Sequence, residues 1–255
     1  MIKRLRQAVP GILLACIFLS NNASASLIHS YNYNGNASDS VGTANGTVIG
    51  ATLTSDRFGN ANSAYSFNGE SYIDSFFSNP LTSTVAIWAK LGAPSDVGDM
   101  LFSFDRGAYG INLWFYSYPN VVTDAMWNTW DSQSNAFSGS TNVNSAIRDN
   151  QFHHFAVVNN QTSGVTSLFV DGILRGTANY RQPVGNLFRV GAGKRDLGYA
   201  WDGVIDDVEV YSSALSSNQV STLFRTGSVE VSTPSTLLLF ALGIFMIGRR
   251  QFFKP

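Results

Sequence analysis

Between Leu27 and about Phe224, apolar residues come in short alternating runs broken by Gly, Asn, Ser and Asp. Val85–Lys90 (VAIWAK), Gly110–Tyr118 (GINLWFYSY), His154–Asn160 (HFAVVNN), Thr166–Gly172 (TSLFVDG) and Gly203–Tyr211 (GVIDDVEVY) are rich in β-branched and aromatic side chains. Such residues suit a pleated, half-buried surface, so each run reads as a strand. Asn159–Gly164 and the pair Asp171-Gly172 read as hairpin turns. A period of two sorts the faces. In Gly203–Tyr211 it sets Val204, Asp206, Val208 and Val210 against Ile205, Asp207, Glu209 and Tyr211. In Gly110–Tyr118 it sets Ile111, Leu113 and Phe115, a core face, against Asn112, Trp114, Tyr116 and Tyr118. Trp88 is assigned to the core. The one helical pattern is Ser216–Phe224, where Val220, Leu223 and Phe224 share a face. Many closely spaced strands predict an all-β sandwich of two antiparallel sheets.

Composition narrows the setting. Of the 255 residues, 44% are hydrophobic, 13% aromatic and only 13% charged. That is enough apolar mass for a core, so disorder is excluded. The sole cysteine, Cys16, lies in the apolar stretch near the start, so the middle of the chain carries no disulfide and no thiolate site.

The two ends differ from the middle. Lys3, Arg4 and Arg6 precede an apolar run from Gly11 to Leu19, and Ala23-Ser24-Ala25 is an A-x-A site, the pattern of a secretory signal peptide over 1–25. An uncleaved anchor and a lipoprotein site at Cys16 stay open as alternatives. Near the other end, Leu237–Ile247 is an apolar run of eleven residues followed by Arg249, Arg250 and Lys254. A stable spanning helix needs roughly twenty apolar residues, and positive charge resists translocation, so a transient inner-membrane hold is expected. A one-helix tail anchor is the alternative. Setting these ends aside leaves ten basic against seventeen acidic residues, a net charge near −7, which disfavours nucleic acid as a partner.

The tail resembles the PEP-CTERM sorting signal of exported bacterial proteins. Val231, Pro234, Ser235 and Thr236 match its short motif, while the usual first Pro and Glu are absent, and the apolar run and Arg249-Arg250 match the rest. The resemblance implies an exosortase-type processing enzyme as partner, with the tail removed after export by the Sec route. Residues 26–226 resemble a LamG-like jelly roll of the concanavalin A-like class. The matching stretches are Tyr31–Val41 (YNYNGNASDSV), Arg57–Gly69 (RFGNANSAYSFNG), VAIWAK, Gln151–Val158 (QFHHFAVV), Leu168–Leu174 (LFVDGIL) and Trp201–Phe224. This implies a jelly-roll sandwich at 26–226, flanked by a signal helix at 1–25, a linker with sorting motif at 227–236, and a hydrophobic helix with basic tail at 237–255.

Candidate chemistry is sparse. Asp206 falls among apolar neighbours, and a buried carboxylate must be paired, hydrogen-bonded or metal-bound. The resemblance implies a structural calcium ion with Asp39 and Asp206 as ligands; the alternative is that Asp206 accepts backbone hydrogen bonds after Gly203. His153 and His154 have no evident carboxylate partner in sequence and read as packing and hydrogen-bonding residues. His29 has no argued role. No carboxylate pair has glucanase spacing and no G-x-S-x-G elbow occurs, so no catalytic residues and no enzyme are expected. The face of Asn112, Trp114, Tyr116 and Tyr118 alternates rings with an amide, as a sugar-binding surface does. Asn36, Asn45 and Asn160 read as turn residues. The expected function is an exported, non-catalytic binding protein of surface or matrix, its partner a polysaccharide or an envelope protein. The alternatives are a structural interaction module without glycan binding and, less favoured, a hydrolase- or lyase-like enzyme.

Overall fold

The structure, a computed structural model, describes residues 25–92, 99–105, 110–115, 125–130, 137–141, 147–180, 185–193 and 199–229. The signal-peptide region, the sorting motif, the apolar tail, Tyr116 and Tyr118 lie outside the described residues. Among those described, no helix is long and apolar enough to cross a membrane.

The strands in chain order are β1 (Leu27–Tyr31), β2 (Thr47–Ile49), β3 (Thr52–Thr54), β4 (Ala64–Asn68), β5 (Tyr72–Phe76), β6 (Ser83–Leu91), β7 (Asp99–Asp105) and β8 (Gly110–Phe115). There follow β9 (Ala125–Trp130), β10 (Phe137–Thr141), β11 (His153–Asn160), β12 (Val165–Val170), β13 (Ile173–Asn179), β14 (Leu187–Val190) and β15 (Asp202–Tyr211), then the helix α1 (Ser217–Thr226). They form two sheets. The first runs β13-β12-β11-β6-β15-β4-β3, with β1 also paired to β15; the second runs β10-β9-β8-β7-β14-β5-β2. The pairings between these strands are all antiparallel.

The expected strands are all present. The β12–β13 hairpin turns on Asp171 and Gly172, with φ of 53° and 73°. Two successive positive φ values make a type I′ turn, whose twist matches the strands it joins. Asn36, Asn45 and Asn160 are turn residues, each side chain accepting a backbone N–H.

The main core lies between the sheets. Phe67, Phe102, Phe104, Phe115, Phe155 and Phe188 meet there with Tyr31, Tyr33 and Trp201. A second, smaller cluster lies on the opposite face of the first sheet, where Val220 and Leu223 of α1 cover Ala86, Ala156, Val158 and Phe169. The helix is fixed at both ends. Ser216 and Gln219 form a capping box, and Gly227, at φ 70°, closes the last turn with its N–H on the Leu223 carbonyl at 2.8 Å.

Two sequence assignments change. Val85, Ile87 and Ala89 of β6 enter the main core, so Trp88 falls on the helix-side face, only half-buried, and is not a core residue. In β15 the simple alternation fails: Ile205, Val208 and Val210 all reach the core, because the register to β6 shifts between Ile205 and Val208. A bulge at Asp206-Asp207 reverses the phase of the strand.

Candidate functional site

The site is built on the helix-side face of the first sheet. After β3, Asp56 accepts the Phe58 and Asn60 backbone N–H groups, both at 2.8 Å, folding the loop so that Arg57 and Phe58 project together. Arg57 then reaches the bulge in β15. Its Nη1 donates to Asp206 at 2.6 Å and to Asp207 at 2.8 Å, and its backbone N–H also donates to Asp206. The guanidinium lies 4.4 Å from the Phe58 ring centre and 4.8 Å from that of Trp88. On Trp88 stacks Phe224 of α1, centroid to centroid 5.6 Å. The result is a continuous pile of Phe58, Arg57, Trp88 and Phe224, contributed by the loop after β3, by β6 and by α1.

Beside this pile opens a cleft of about 470 Å³, within the usual size of a small-ligand site. Gln151 and Phe152, just before β11, form one wall, and Arg225, Thr226 and Gly227 at the end of α1 form another. Phe58 is 74% exposed, so its outer face is open. Below the cleft a second space of about 20 Å³ is lined by Trp88, His154, Asp207 and Glu209. It has room for one water and not for a sugar ring.

Electrostatics separate the carboxyl groups here. Burial and the neighbouring Asp207 push Asp206 up to about 6 against the pull of Arg57. Burial also raises Glu209, which accepts the Tyr211 hydroxyl at 2.7 Å. His154 is buried against Trp88 and Phe224, and desolvation lowers it to about 4, so it is neutral at pH 7. His153 does have carboxylate partners: Asp171 at 2.8 Å and Asp149 at 3.0 Å. The hydrogen bond to Asp171 is the main reason its pKa is raised. His153 is thus a hydrogen-bonding group, whereas the His154 ring is packed against Trp88 and Phe224 with its buried Nδ1 unpartnered among the described residues. His29 also has a role, as partner of Asp39 at 2.6 Å.

The implied calcium ligands are each committed elsewhere. Asp39 accepts His29 and the backbone N–H groups of Ser30, Val41, Gly42 and Ala44. Asp206 is paired with Arg57, and among the described residues no hydrogen-bond partner is common to the two. Calcium takes six to eight oxygen ligands, and N–H donors are the wrong chemistry, so these two carboxylates as arranged do not fit the ion. Among the described residues, no group of three or more His, Cys, Asp or Glu side chains is placed to hold a metal.

The aromatic strand expected to take sugar is β8, in the second sheet. Leu113 and Phe115 are buried in the core. Asn112 sits in register between Ser103 and Asn128, and Ser103 in turn between Asn112 and Arg189, which pairs with Asp74. A row of polar residues therefore crosses that sheet. Arg189 is pinned in it, with Nε and Nη2 on the two oxygens of Asp74 at 2.7 and 2.8 Å and its guanidinium 3.8 Å from the Tyr72 ring centre. Trp114 is opposite Met100.

Comparison with known proteins places the fold. A laminin G-type profile described as the concanavalin A-like lectin/glucanases superfamily matches residues 71–221, more than half of the chain. The chain belongs to that superfamily. Among solved structures, this superfamily member is similar to domain 4 of AbnA, an extracellular arabinanase of Geobacillus stearothermophilus, solved in complex with arabinotriose. The TM-score is 0.62 at 20% identity, over 78% of this chain and 98% of that one. It is also similar to the binding domain of botulinum neurotoxin serotype D, with TM-score 0.53 at 16% identity over 78% of this chain and 51% of that one. A third similar structure is the binding domain of Paraclostridial Mosquitocidal Protein 1, with TM-score 0.54 at 16% identity over 79% of this chain and 52% of that one. The chain thus spans about half of the toxin domains. At these identities the likeness is one of fold. No curated protein sequence matches the chain.

The cleft was legible in part. Arg57 opens the second stretch that resembles LamG-like domains, and Trp88 shares its strand face with Lys90 rather than with Val85 and Ile87. A lysine two residues from a tryptophan marks that face as the outer one. What the sequence could not supply is the partner of Arg57, which lies 149 residues away.

Proposed function

We propose that this superfamily member is an exported, non-catalytic carbohydrate-binding protein, and that the cleft beside Phe58 is its binding site. One observation carries the reading: an open aromatic ring backed by a fixed guanidinium, in a cleft also lined by a glutamine and a threonine. Sugars are held by stacking their apolar faces on rings while directional donors and acceptors take their hydroxyls. A domain of similar fold solved with arabinotriose supports this by analogy of fold. The space at Asp207 and Glu209 admits a water but no glycoside, so these two carboxylates do not flank a glycosidic bond there. The test is calorimetric titration of the protein with a panel of neutral and acidic oligosaccharides, alongside Phe58→Ala. Saccharide binding that the exposed substitution weakens at least tenfold supports the reading; a Phe58→Ala protein that binds as well as the parent rejects this site.

The alternative is the set Asn112, Trp114, Tyr116 and Tyr118 expected from the sequence; of these, Asn112 falls in register with Ser103, Arg189 and Asp74 of the second sheet. If no saccharide binds at either surface, the domain is a structural interaction module.

Export and sorting rest on the ends of the sequence: the signal pattern before Ser26, the PEP-CTERM-like stretch at Val231–Thr236, and the apolar run before Arg249-Arg250. The intact mass of the protein from each cell fraction of its host tests them. Loss of 1–25 and of the residues after about Pro234, with the product outside the inner membrane, is the expected result. Retention of Leu237–Pro255 in the inner membrane means a tail-anchored domain instead.

A further inference from the structure

The charge of the cleft is opposite to that of the domain around it. Without its terminal segments the chain carries a net charge near −7, yet the described residues lining the cleft include Arg57 and Arg225 and no carboxylate, Asp56 and Asp149 being engaged with the backbone N–H groups of Phe58 and Gln151. The charges around it can be taken in turn. Arg57 is compensated by Asp206 and Asp207, which lie behind it in the bulge of β15. Only its Nη1 is used there, and neither Nε nor Nη2 bonds a described residue. Arg225 is exposed in the last turn of α1, where its Nε donates to the Ser221 carbonyl at 3.3 Å, and it has no ion pair among the described residues. Lys90 likewise has no ion pair among the described residues; its ammonium lies 5.4 Å from the centre of the Phe152 ring that forms the far wall. Arg225, without an ion pair among the described residues, therefore lines the cleft; Lys90 lies beside the Phe152 ring of its wall, and Arg57 has donors left over.

We propose that the cleft selects anionic saccharides, of the uronic acid class, over neutral ones. This rests on the reading of the cleft as a sugar site and adds its selectivity. The ring of such a sugar would stack on the open face of Phe58, and its carboxylate would meet Arg225, with Lys90 adding positive potential from beside the Phe152 wall. Charge-assisted bonds to a carboxylate are about twice as strong as neutral ones, and a partly enclosed site screens them less than open solvent does.

The experiment compares a short oligogalacturonate with the same oligosaccharide after chemical reduction of its carboxyl groups, titrated into the protein as recovered from its host. The acidic form is expected to bind about tenfold tighter at low salt, a difference of about 1.4 kcal/mol. That advantage should shrink as salt is raised. Arg225→Gln should remove several-fold of it and Lys90→Gln less, each lowering affinity for the acidic sugar more than for the reduced one, whereas Phe58→Ala should weaken both sugars alike. Equal affinity for the two forms, still sensitive to Phe58→Ala, overturns the selectivity and leaves the sugar site standing. Binding of neither form, with a wider saccharide panel also silent, overturns both. An acidic preference that survives the double substitution of Arg225 and Lys90 places the selectivity elsewhere and overturns this assignment. Tight binding to anionic phospholipid vesicles but not to the oligogalacturonate also overturns it, in favour of a membrane surface.

Discussion

Two buried aspartates stand at opposite ends of the same problem. Asp39 and Asp206 are 8% and 2% exposed, and each has a basic side chain at 2.6 Å. Burial pushes both carboxyls up, yet Asp39 ends at about 2 and Asp206 at about 6. The difference lies in what else surrounds them. Asp39 sits in a loop whose backbone turns around it, so that four backbone N–H groups converge on its two oxygens. Asp206 receives one backbone N–H and shares its arginine with the like-charged Asp207. A single salt bridge does not repay the cost of burying a carboxylate, and a nest of fixed backbone dipoles does. Both residues looked alike in the sequence, as acidic groups suited to a metal; the structure makes one a loop organiser and the other the rear anchor of the cleft.

Four experiments break or sharpen this comparison. The largest effect is expected from Asp39→Ala, which strips the acceptor from His29 and four N–H groups at once. It should destabilise the fold by about 4 kcal/mol in a denaturant titration. Arg57→Met should cost about 3 kcal/mol at pH 7, because it leaves Asp206 and Asp207 without their cation. That loss should shrink below pH 6, where Asp206 takes up a proton. If Arg57→Met is neutral at pH 7, the arginine is not what holds the bulge.

The third experiment reads the titrations themselves. Carboxyl carbon resonances should move near pH 6 for Asp206 and near pH 2 for Asp39. The two contribute to stability with opposite sign. Asp39, lowered in the folded state, contributes about 2 kcal/mol that is present above its unfolded pKa and lost as pH falls toward 2. Asp206, raised in the folded state, contributes most below its unfolded pKa and loses that contribution as pH rises through about 6. His154 acts in the direction of Asp39: held neutral, it supports the fold above about pH 6.5 and ceases to as pH falls through about 4. The smallest effect should come from Asp206→Asn, which mimics the protonated form and should change stability at pH 7 by less than about 1 kcal/mol. A large loss there would mean that the charge of Asp206, and not its shape, secures Arg57.

Most of the fold could be read from residue order because its signals are local. The runs at β6, β8, β11, β12 and β15 show their strands, the Asp171-Gly172 pair shows its turn, and Val220 and Leu223 show the buried side of α1. Where the reading failed, the cause was not local. The bulge that reverses β15 is set by its pairing with β6. The half-buried place of Trp88 follows from which face α1 covers, and the cleft exists only because the loop after β3, the approach to β11 and the end of α1 meet over one strand. Those are tertiary facts with no period to show them.

The position of β15 in its sheet also sets a timetable. It is the last strand among the described residues, yet it lies between β4 and β6 and is the strand to which β1 is paired. A chain delivered from its N-terminus, by a ribosome or through a translocation pore, presents residues 27 to 201 before the strand that unites them. Until then β3–β4 and β6–β11–β12–β13 are separate pieces with no common hydrogen-bonded centre. Closure of the sandwich must wait for nearly the whole domain, since contacts so distant in sequence form late. A polypeptide that stays open until its end has passed is also one that can be threaded.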